Sequence, residues 1–350
     1  MIHRLLPVAC VALAAVSLFG TSAVLAPATA QAPDQLALPF DAYVEVLKAR
    51  AQAEGVSSAT IDRMTAGLTP NDRVIRLDRN QPGSATAQGY PPLAPYIATH
   101  VNGARIGSGR AVYAQHRDLL ARIERETGVP GAIIVAIFGH ETSYGRIKGD
   151  FDLARSLATL AWEGRRRELF EGEFIALLKI ADRGFARSQL VGSYAGAFGN
   201  PQFLPSVYIR LATDGDGDGR ADIFSNRADT FASIANYFRD AGWRPGQPWG
   251  VRAYVPSGFD VDAYNTELVA PLCPRVHERH SVWKTVAEWR ALGVVGQGGL
   301  ADAVMVSLFQ PDGPGAPAWL LTSNYRSILE YNCSNYYAMS VGLLADEIVN

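Results

Sequence analysis

The chain of 350 residues carries 32 Lys+Arg against 34 Asp+Glu, a formal charge of -2, with 48% hydrophobic and 10% aromatic residues. That apolar content fills a sizeable core and excludes intrinsic disorder over most of the chain. The near-neutral charge excludes a general basic field for nucleic acid, which needs clustered excess Lys and Arg, and the one such cluster is Arg165-Arg166-Arg167.

Residues 1–30 have a different texture. Arg4 is their formal charge, Val8 to Leu25 is almost wholly apolar or small, and Ala28-Thr29-Ala30 offers an A-x-A cleavage site. The pattern predicts a secretory signal peptide over 1–30 and an exported, soluble product with no transmembrane segment after cleavage. A membrane anchor is the competing reading, opposed by Gly20, Thr21 and Ser22 within the apolar stretch. Cys10 lacks the apolar region a lipoprotein cysteine needs before it. In an oxidising compartment Cys273 and Cys333 become a candidate disulfide; two separate buried thiols are the competing reading, because Cα separation and not spacing along the chain decides bridging.

Along the chain, Phe40, Tyr43, Val44 and Leu47 recur at i, i+3, i+4, i+7 and predict a helix over Pro39–Leu68. A Pro-, Gly- and Ser-rich loop follows over Asn80–Pro95. Val112, Leu119, Leu120 and Ile123 predict a helix over Gly107–Thr127, which Gly128-Val129-Pro130 punctuates. Further helices are expected over Pro130–Gly145, Asp152–Ala161, Glu168–Arg183, Ala228–Ala241 and Asn335–Val349. Between Pro245 and Thr322 the texture shifts to Gly and Pro punctuation with β-like runs at Val251–Val255, Ala303–Phe309 and Ala318–Leu321. The expected fold is α+β, predominantly α. Its parts are a helical body over 31–244, a small inserted β-containing subdomain over 245–322, and a C-terminal helix over 323–350 that returns to the body.

The segment PGAIIVAIFGHETSYGR, Pro130 to Arg146, carries the sharpest chemical signal. Ile133, Ile137 and Glu141 fall on one helix face. A carboxyl on an apolar face is raised in pKa, as a general acid near neutral pH requires. The alternative is a buried Glu paired with Arg146. His140 beside Glu141 suggests a metalloprotease, but Tyr144 stands where H-E-x-x-H needs its second His, so His140 reads as a helix-surface residue. Neither G-x-S-x-G nor a P-loop occurs.

GSYAGAFGNPQFLP, Gly192 to Pro205, combines small residues that let a ligand approach the backbone with neutral Ser193, Asn200 and Gln202, a mixture suited to carbohydrate. Asp214, Asp216 and Asp218 then follow D-x-D-x-D-G spacing, with the Arg220 carbonyl at position 7 and Asp222 at position 9, the oxygen set a calcium ion needs. Position 12 is Ser225, so a later acid such as Asp229 would complete the shell. Only one such loop is found, which favours a structural ion over an EF-hand switch. Tyr331, Asn332, Tyr336 and Tyr337 concentrate aromatic and amide groups near the C-terminus.

Together these segments resemble the lytic murein transglycosylase B family, which has a lysozyme-like catalytic core. The matching stretches are IFGHETSYGR (Ile137 to Arg146), SLATLAWEGRR (Ser156 to Arg166), SYAGAFGNPQFLPS (Ser193 to Ser206), the DGDGDG loop, ANYFRDAGW (Ala235 to Trp243) and YNCSNYYA (Tyr331 to Ala338). Their order, spread from Phe40 to the C-terminus, is more specific than any one of them. Asn200-Pro201 before Gln202 departs from the family pattern, and the acidic spacing after the metal loop is longer by one residue.

The resemblance implies a periplasmic enzyme acting on peptidoglycan glycan strands, with other cell-wall synthesis or hydrolysis proteins as the class of protein partner. It implies Glu141 as single acid/base and Ser193, Gln202, Tyr237, Tyr331, Asn332 and Tyr337 as cleft residues. Arg165 and Arg166 would meet the peptide stem. A structural calcium ion would sit at Asp214, Asp216, Asp218, Arg220, Asp222 and Asp229, with no organic cofactor. The expected reaction leaves 1,6-anhydromuramic acid ends. The rivals are a muramidase that hydrolyses the same bond and a non-catalytic calcium-bearing cell-wall binding protein.

Overall fold

Helix α1 (Phe40–Ala53) begins directly after Pro39. The expected helix over Pro39–Leu68 is two helices, because Gly55 takes φ 86° and turns the chain. The Gly55 and Val56 N–H groups donate back to Gln52 and Ala51. Ser57 then caps α2 (Ser58–Thr65) by accepting from the Thr60 N–H at 3.3 Å. The computed structural model describes residues 38–80, 90–271 and 273–350. The expected signal peptide and much of the loop over Asn80–Pro95 lie outside the described residues.

Asn71 caps α3 (Asp72–Arg79), and α4 (Leu93–His100) follows. The second expected helix also divides, into α5 (Gly103–Gln115) and α6 (Arg117–Thr127), with a break at His116. It starts earlier than expected because the Asn102 side chain accepts from Arg105 N–H at 3.0 Å. Helix α7 (Gly131–Thr142) is buried on every side from Gly131 to Gly139, as its uninterrupted apolar run requires. Beyond it come β1 (Phe151–Asp152), α8 (Leu153–Glu163), α9 (Arg167–Asp182), β2 (Val191–Gly192), α10 (Pro205–Leu211) and α11 (Arg227–Asp240). Strands β1 and β2 pair antiparallel, Phe151 opposite Gly192 and Asp152 opposite Val191.

Five strands then form one antiparallel sheet: β3 (Gly250–Tyr254), β4 (His280–Thr285), β5 (Val295–Gln297), β6 (Met305–Phe309) and β7 (Ala318–Leu321), in the order β4-β6-β7-β3-β5. Strands β4 and β5 fall outside the expected runs. Between them, α12 (Val286–Ala291) is held by a reciprocal cap in which Glu288 and Thr285 bond to each other's backbone N–H. It drives the fully buried Trp289 into the sheet's own small core, where its indole N–H donates to Val306 O at 3.2 Å. Helices α13 (Ser323–Tyr331) and α14 (Asn335–Val349) close the chain.

Two larger cores flank the region that matters for function. One surrounds α7 and includes α6, α11, α13 and α14. The other surrounds α8 and α9 with α1, α2 and α10. Tyr331 packs against both. Helix α14 runs along α7, and Gly342 makes that approach possible for the sheet as well, since a Cβ there would lie 2.5 Å from the Trp249 ring.

Cys273 and Cys333 are bonded, with Cα atoms 5.5 Å apart. The bridge joins the segment before β4 to the turn between α13 and α14 and closes a loop of 60 residues. Closing a loop of that size restricts the unfolded chain and is worth about 4 kcal/mol. Denaturant titration should therefore show Cys273→Ser/Cys333→Ser less stable by about that amount. An unchanged midpoint would mean that the turn is held by packing alone.

Candidate active site

The candidate site is built where α7 ends. Glu141 is the penultimate residue of that helix, and Ser143, Tyr144 and Gly145 follow in left-handed conformations at φ 49°, 61° and 85°. Two consecutive non-glycine residues in this region store backbone strain that the surroundings must hold. The holding contacts are specific. The Tyr144 ring folds back over Gly139, where a Cβ would lie 2.6 Å from the ring, and its hydroxyl donates to Arg105 O at 2.8 Å. Thr142 is fully buried and its Oγ1 accepts from the Gly145 N–H at 2.9 Å. Arg105 donates to Gly139 O and Arg146 to Ser143 O, so both cations cap the helix C-terminus.

Arg146 is thereby engaged with the backbone, and the ion pair considered for Glu141 is not formed. Glu141 Oε1 instead accepts from the Tyr337 hydroxyl at 2.5 Å. Burial pushes the Glu141 carboxyl up to about 7, and the Tyr337 hydrogen bond opposes that rise only in part. Tyr337 stands in the first turn of α14, whose start is set by the Ser334 cap and by the disulfide at Cys333.

His140 corrects the expectation of a surface residue. Its ring lies 5.4 Å from that of Tyr337 and 6.0 Å from that of His100, which in turn stacks on Tyr96 at 3.8 Å. Burial, with the charge of Arg105, holds its pKa down to about 3, so it is neutral. Helix periodicity places residue 140 beside the face of Glu141. The wall that covers it comes from α4 and α14, which no local pattern announces.

The opposite wall is the segment after β2. The Ser193 N–H donates to Ala197 O at 2.7 Å, and its Oγ accepts from Ala197 N–H at 3.0 Å. Gly192 and Phe198, then Phe198 and Phe203, pair as isolated bridges that fold the loop into a small sheet. Gln202 has φ 51° and donates its amide to Gly199 O at 2.8 Å, curling over its own turn. With Ser143 and Tyr144 it completes the set of non-glycine residues with positive φ among the described residues.

Aromatic residues join the two walls. The Tyr331 hydroxyl donates to Pro201 O at 2.6 Å, and its ring lies 4.6 Å from Tyr237 and 6.1 Å from Phe203. The Tyr237 hydroxyl donates to Glu330 O at 2.7 Å, and burial pushes its pKa up to about 12. Burial and the Glu141 charge raise both Tyr331 and Tyr337 well above the usual tyrosine range. The structure thus gathers Glu141, Tyr337, Tyr331 and Tyr237 at one junction, with Gln202 next to the Pro201 carbonyl that Tyr331 meets, Ser193 in the same loop after β2, and Asn332 exposed at the end of α13. Arg165 and Arg166 stand elsewhere, at the α8–α9 turn, where both pair with the buried Asp78 of α3.

The acidic loop is the second candidate centre. Asp214, Asp216 and Asp229 present carboxylate oxygens within 4.8 Å of one another. Asp229 reaches the loop from the first turn of α11 and accepts from the Gly215 and Asp222 N–H groups. Three hard oxygen donors at this spacing fit a calcium ion. Asp218 and Asp222 do not join the cluster. The Asp218 carboxylate accepts from Arg220 N–H, and that of Asp222 turns to Ser225 and Phe224.

Comparison with known proteins places this geometry. The profile described as "Transglycosylase SLT domain" matches residues 39–346. The chain belongs to the transglycosylase SLT domain family. It is accordingly a lytic transglycosylase with the lysozyme-like fold of that family, predominantly α with a small antiparallel sheet. The transglycosylase is 32% identical over 286 residues, covering 79% of this chain and 74% of the other, to the membrane-bound lytic murein transglycosylase B of Escherichia coli. Its structure resembles SltB3 from Pseudomonas aeruginosa in complex with NAG-anhNAM-pentapeptide, with TM-score 0.80, 36% identity, and coverage of 89% of this chain and 80% of that one. It also resembles the Escherichia coli lytic transglycosylase SLT35 in complex with calcium, with TM-score 0.71, 28% identity and coverage of 88% and 92%.

Glu141 makes a testable contribution to stability. Its folded pKa is raised from 4.5 to about 7, so its protonated form is favoured on folding and that advantage is lost as pH rises through 7. Thermal unfolding should show Glu141→Gln gaining more over the wild type at pH 8 than at pH 4. An equal difference at both pH values would contradict the burial of this carboxyl.

Proposed function

We propose that the enzyme cleaves the β-1,4 bond between N-acetylmuramic acid and N-acetylglucosamine in peptidoglycan, in the periplasm, and leaves 1,6-anhydromuramic acid ends. The observation that carries this reading is the half-buried Glu141 carboxyl at the end of the apolar helix α7, hydrogen-bonded to Tyr337, raised to about 7 by desolvation, and with no second carboxylate bonded to it. Glycosidases that use two carboxylates place them roughly 5 to 10 Å apart on either side of the scissile bond. A single acid/base fits a reaction in which the substrate supplies both the stabilising group and the nucleophile.

Glu141, protonated at the start, gives its proton to the glycosidic oxygen as the bond to the muramyl C1 breaks. The 2-acetamido group stabilises the oxocarbenium-like centre, with Ser193 as the residue assigned to hold it. Glu141, now a carboxylate hydrogen-bonded to Tyr337, takes the proton of the muramyl 6-hydroxyl, whose oxygen closes the anhydro ring. Water is not the nucleophile. Tyr237, Tyr331 and Gln202 line the cleft, Asn332 edges it, and Arg165 and Arg166 meet the peptide stem, with 42% and 34% of their side chains exposed beside Asp78. The anhydro sugar bound by SltB3 supports the same product here. The periplasmic setting is supported by the disulfide and by the composition of residues 1–30.

Mass spectrometry of unreduced fragments from purified peptidoglycan tests the chemistry. Fragments lighter by one water are expected, and Glu141→Gln should reduce their yield by at least about 10³-fold. Fragments of full hydrolysed mass would make the enzyme a muramidase.

Calcium is assigned to Asp214, Asp216 and Asp229, with the Arg220 carbonyl as a further oxygen, and its role is to fix the loop before α11. The calcium complex of SLT35 supports this reading. Calcium should raise the melting temperature of the wild type in a saturable manner and leave Asp229→Asn almost unmoved. An equal rise in both would remove Asp229 from the shell.

A further inference from the structure

A cavity of about 540 Å³ opens between the loop before β3, strands β4 and β6, and the first turn of α13. Its wall includes Arg244, Gln247, Trp283, Met305, Ser323 and Arg326. Arg244 and Arg326 are exposed, and among the described residues neither guanidinium makes a hydrogen bond or ion pair. The other basic pair discussed above, Arg165 and Arg166, shares one carboxylate, that of Asp78. Glu330, one turn along α13, feels the charge of Arg326 without bonding to it, so two guanidinium groups with no hydrogen-bonded anion stand at one cavity and favour an anion there.

The helix adds to that field. Ser323 is the first residue of α13, and among the described residues neither its backbone N–H nor its Oγ has a partner, although the Oγ is inaccessible to solvent. A helix start with an unused N–H and hydroxyl favours a negative group. The floor is rigid. Asn324, fully buried, accepts from Arg244 N–H at 2.7 Å and donates to Arg244 O and Gln247 O at 2.9 and 2.6 Å. The rest of the wall is Trp283, half-buried, with Val304 and Met305, which suits short aliphatic side chains better than a polyanion.

We propose that this cavity binds the free carboxylate end of a peptide. The guanidinium groups and the Ser323 backbone N–H hold the carboxylate, Gln247 pairs with a peptide amide, and Trp283 covers the adjoining apolar side chain. Its place along α13 gives the site a purpose. Ser323 and Tyr331 are eight residues apart on one helix, about 12 Å. The cavity and the Tyr331 end of the junction are thus set apart by two turns of one rigid helix. That the peptide is a stem of peptidoglycan rests on the function proposed above.

Isothermal titration of the full chain carrying Glu141→Gln, with a synthetic pentapeptide ending in D-Ala-D-Ala and with its C-terminal amide, tests the site. The free acid should bind at least about ten-fold more tightly than the amide. Arg244→Gln and Arg326→Gln should each weaken the acid by a similar factor and leave the amide unchanged, with circular dichroism confirming an unaltered fold. Equal binding of acid and amide, unchanged binding in both variants, or displacement by pyrophosphate as effective as by peptide would overturn the assignment. The titration needs no turnover, so its failure beside intact glycan cleavage would sink this site alone. Intact peptide binding without glycan cleavage by the wild type would sink the function alone.

Discussion

A carboxyl group that must sit in an apolar wall is the constraint on which the site depends. Helix α7 is buried from Gly131 to Gly139, and Glu141 follows on the same helix without a cation beside it. Desolvation raises its pKa to about 7, so the neutral acid and the carboxylate are both populated near pH 7. Such a group is stable only if something accommodates both of its protonation states. Tyr337 does this with a hydroxyl that can donate to the carboxylate, and the placement of Tyr337 depends on α14, on its Ser334 cap and on the bridge between Cys273 and Cys333.

The same demand explains the strain that follows Glu141. To end α7 at the site without burying unpaired carbonyls, the chain turns through three left-handed residues, and Arg105, Arg146 and Thr142 satisfy the freed polar groups. Glycine at 139 is needed because Tyr144 occupies the space its side chain would take. The opposing loop meets a similar condition at Gln202. Strain on both sides of one junction, each side held by hydrogen bonds, keeps the reacting groups from relaxing away from one another.

Cations are distributed by environment and not by number. Arg165 and Arg166 neutralise a buried Asp78 and staple α3 to the α8–α9 turn, a requirement of burying that carboxylate. Arg105 and Arg146 serve helix carbonyls. Arg244 and Arg326 serve neither purpose, and α13 links them to Tyr331 at its other end. A chain with almost no net charge can still present a local positive field in this way.

The sequence by itself determined the helical body, the apolar character of α7 with Glu141 upon it, the cleft loop and the acidic loop, because each rests on local periodicity or short spacing. Several local signals were also present and would have refined the reading, such as Gly55 before Ser57 and the Thr285-x-x-Glu288 cap of α12. Strands as short as β1, β2 and β5 have no period to detect. Only the tertiary structure decided that Tyr337 and not Arg146 meets Glu141, that His140 is covered, that Asp229 and not Asp218 or Asp222 joins Asp214 and Asp216, and that the two cysteines bond. Glu141 and Tyr337 are 196 residues apart. A contact of that kind is set by how α14 packs along α7, and packing is a property of surfaces brought together, which no window of sequence contains.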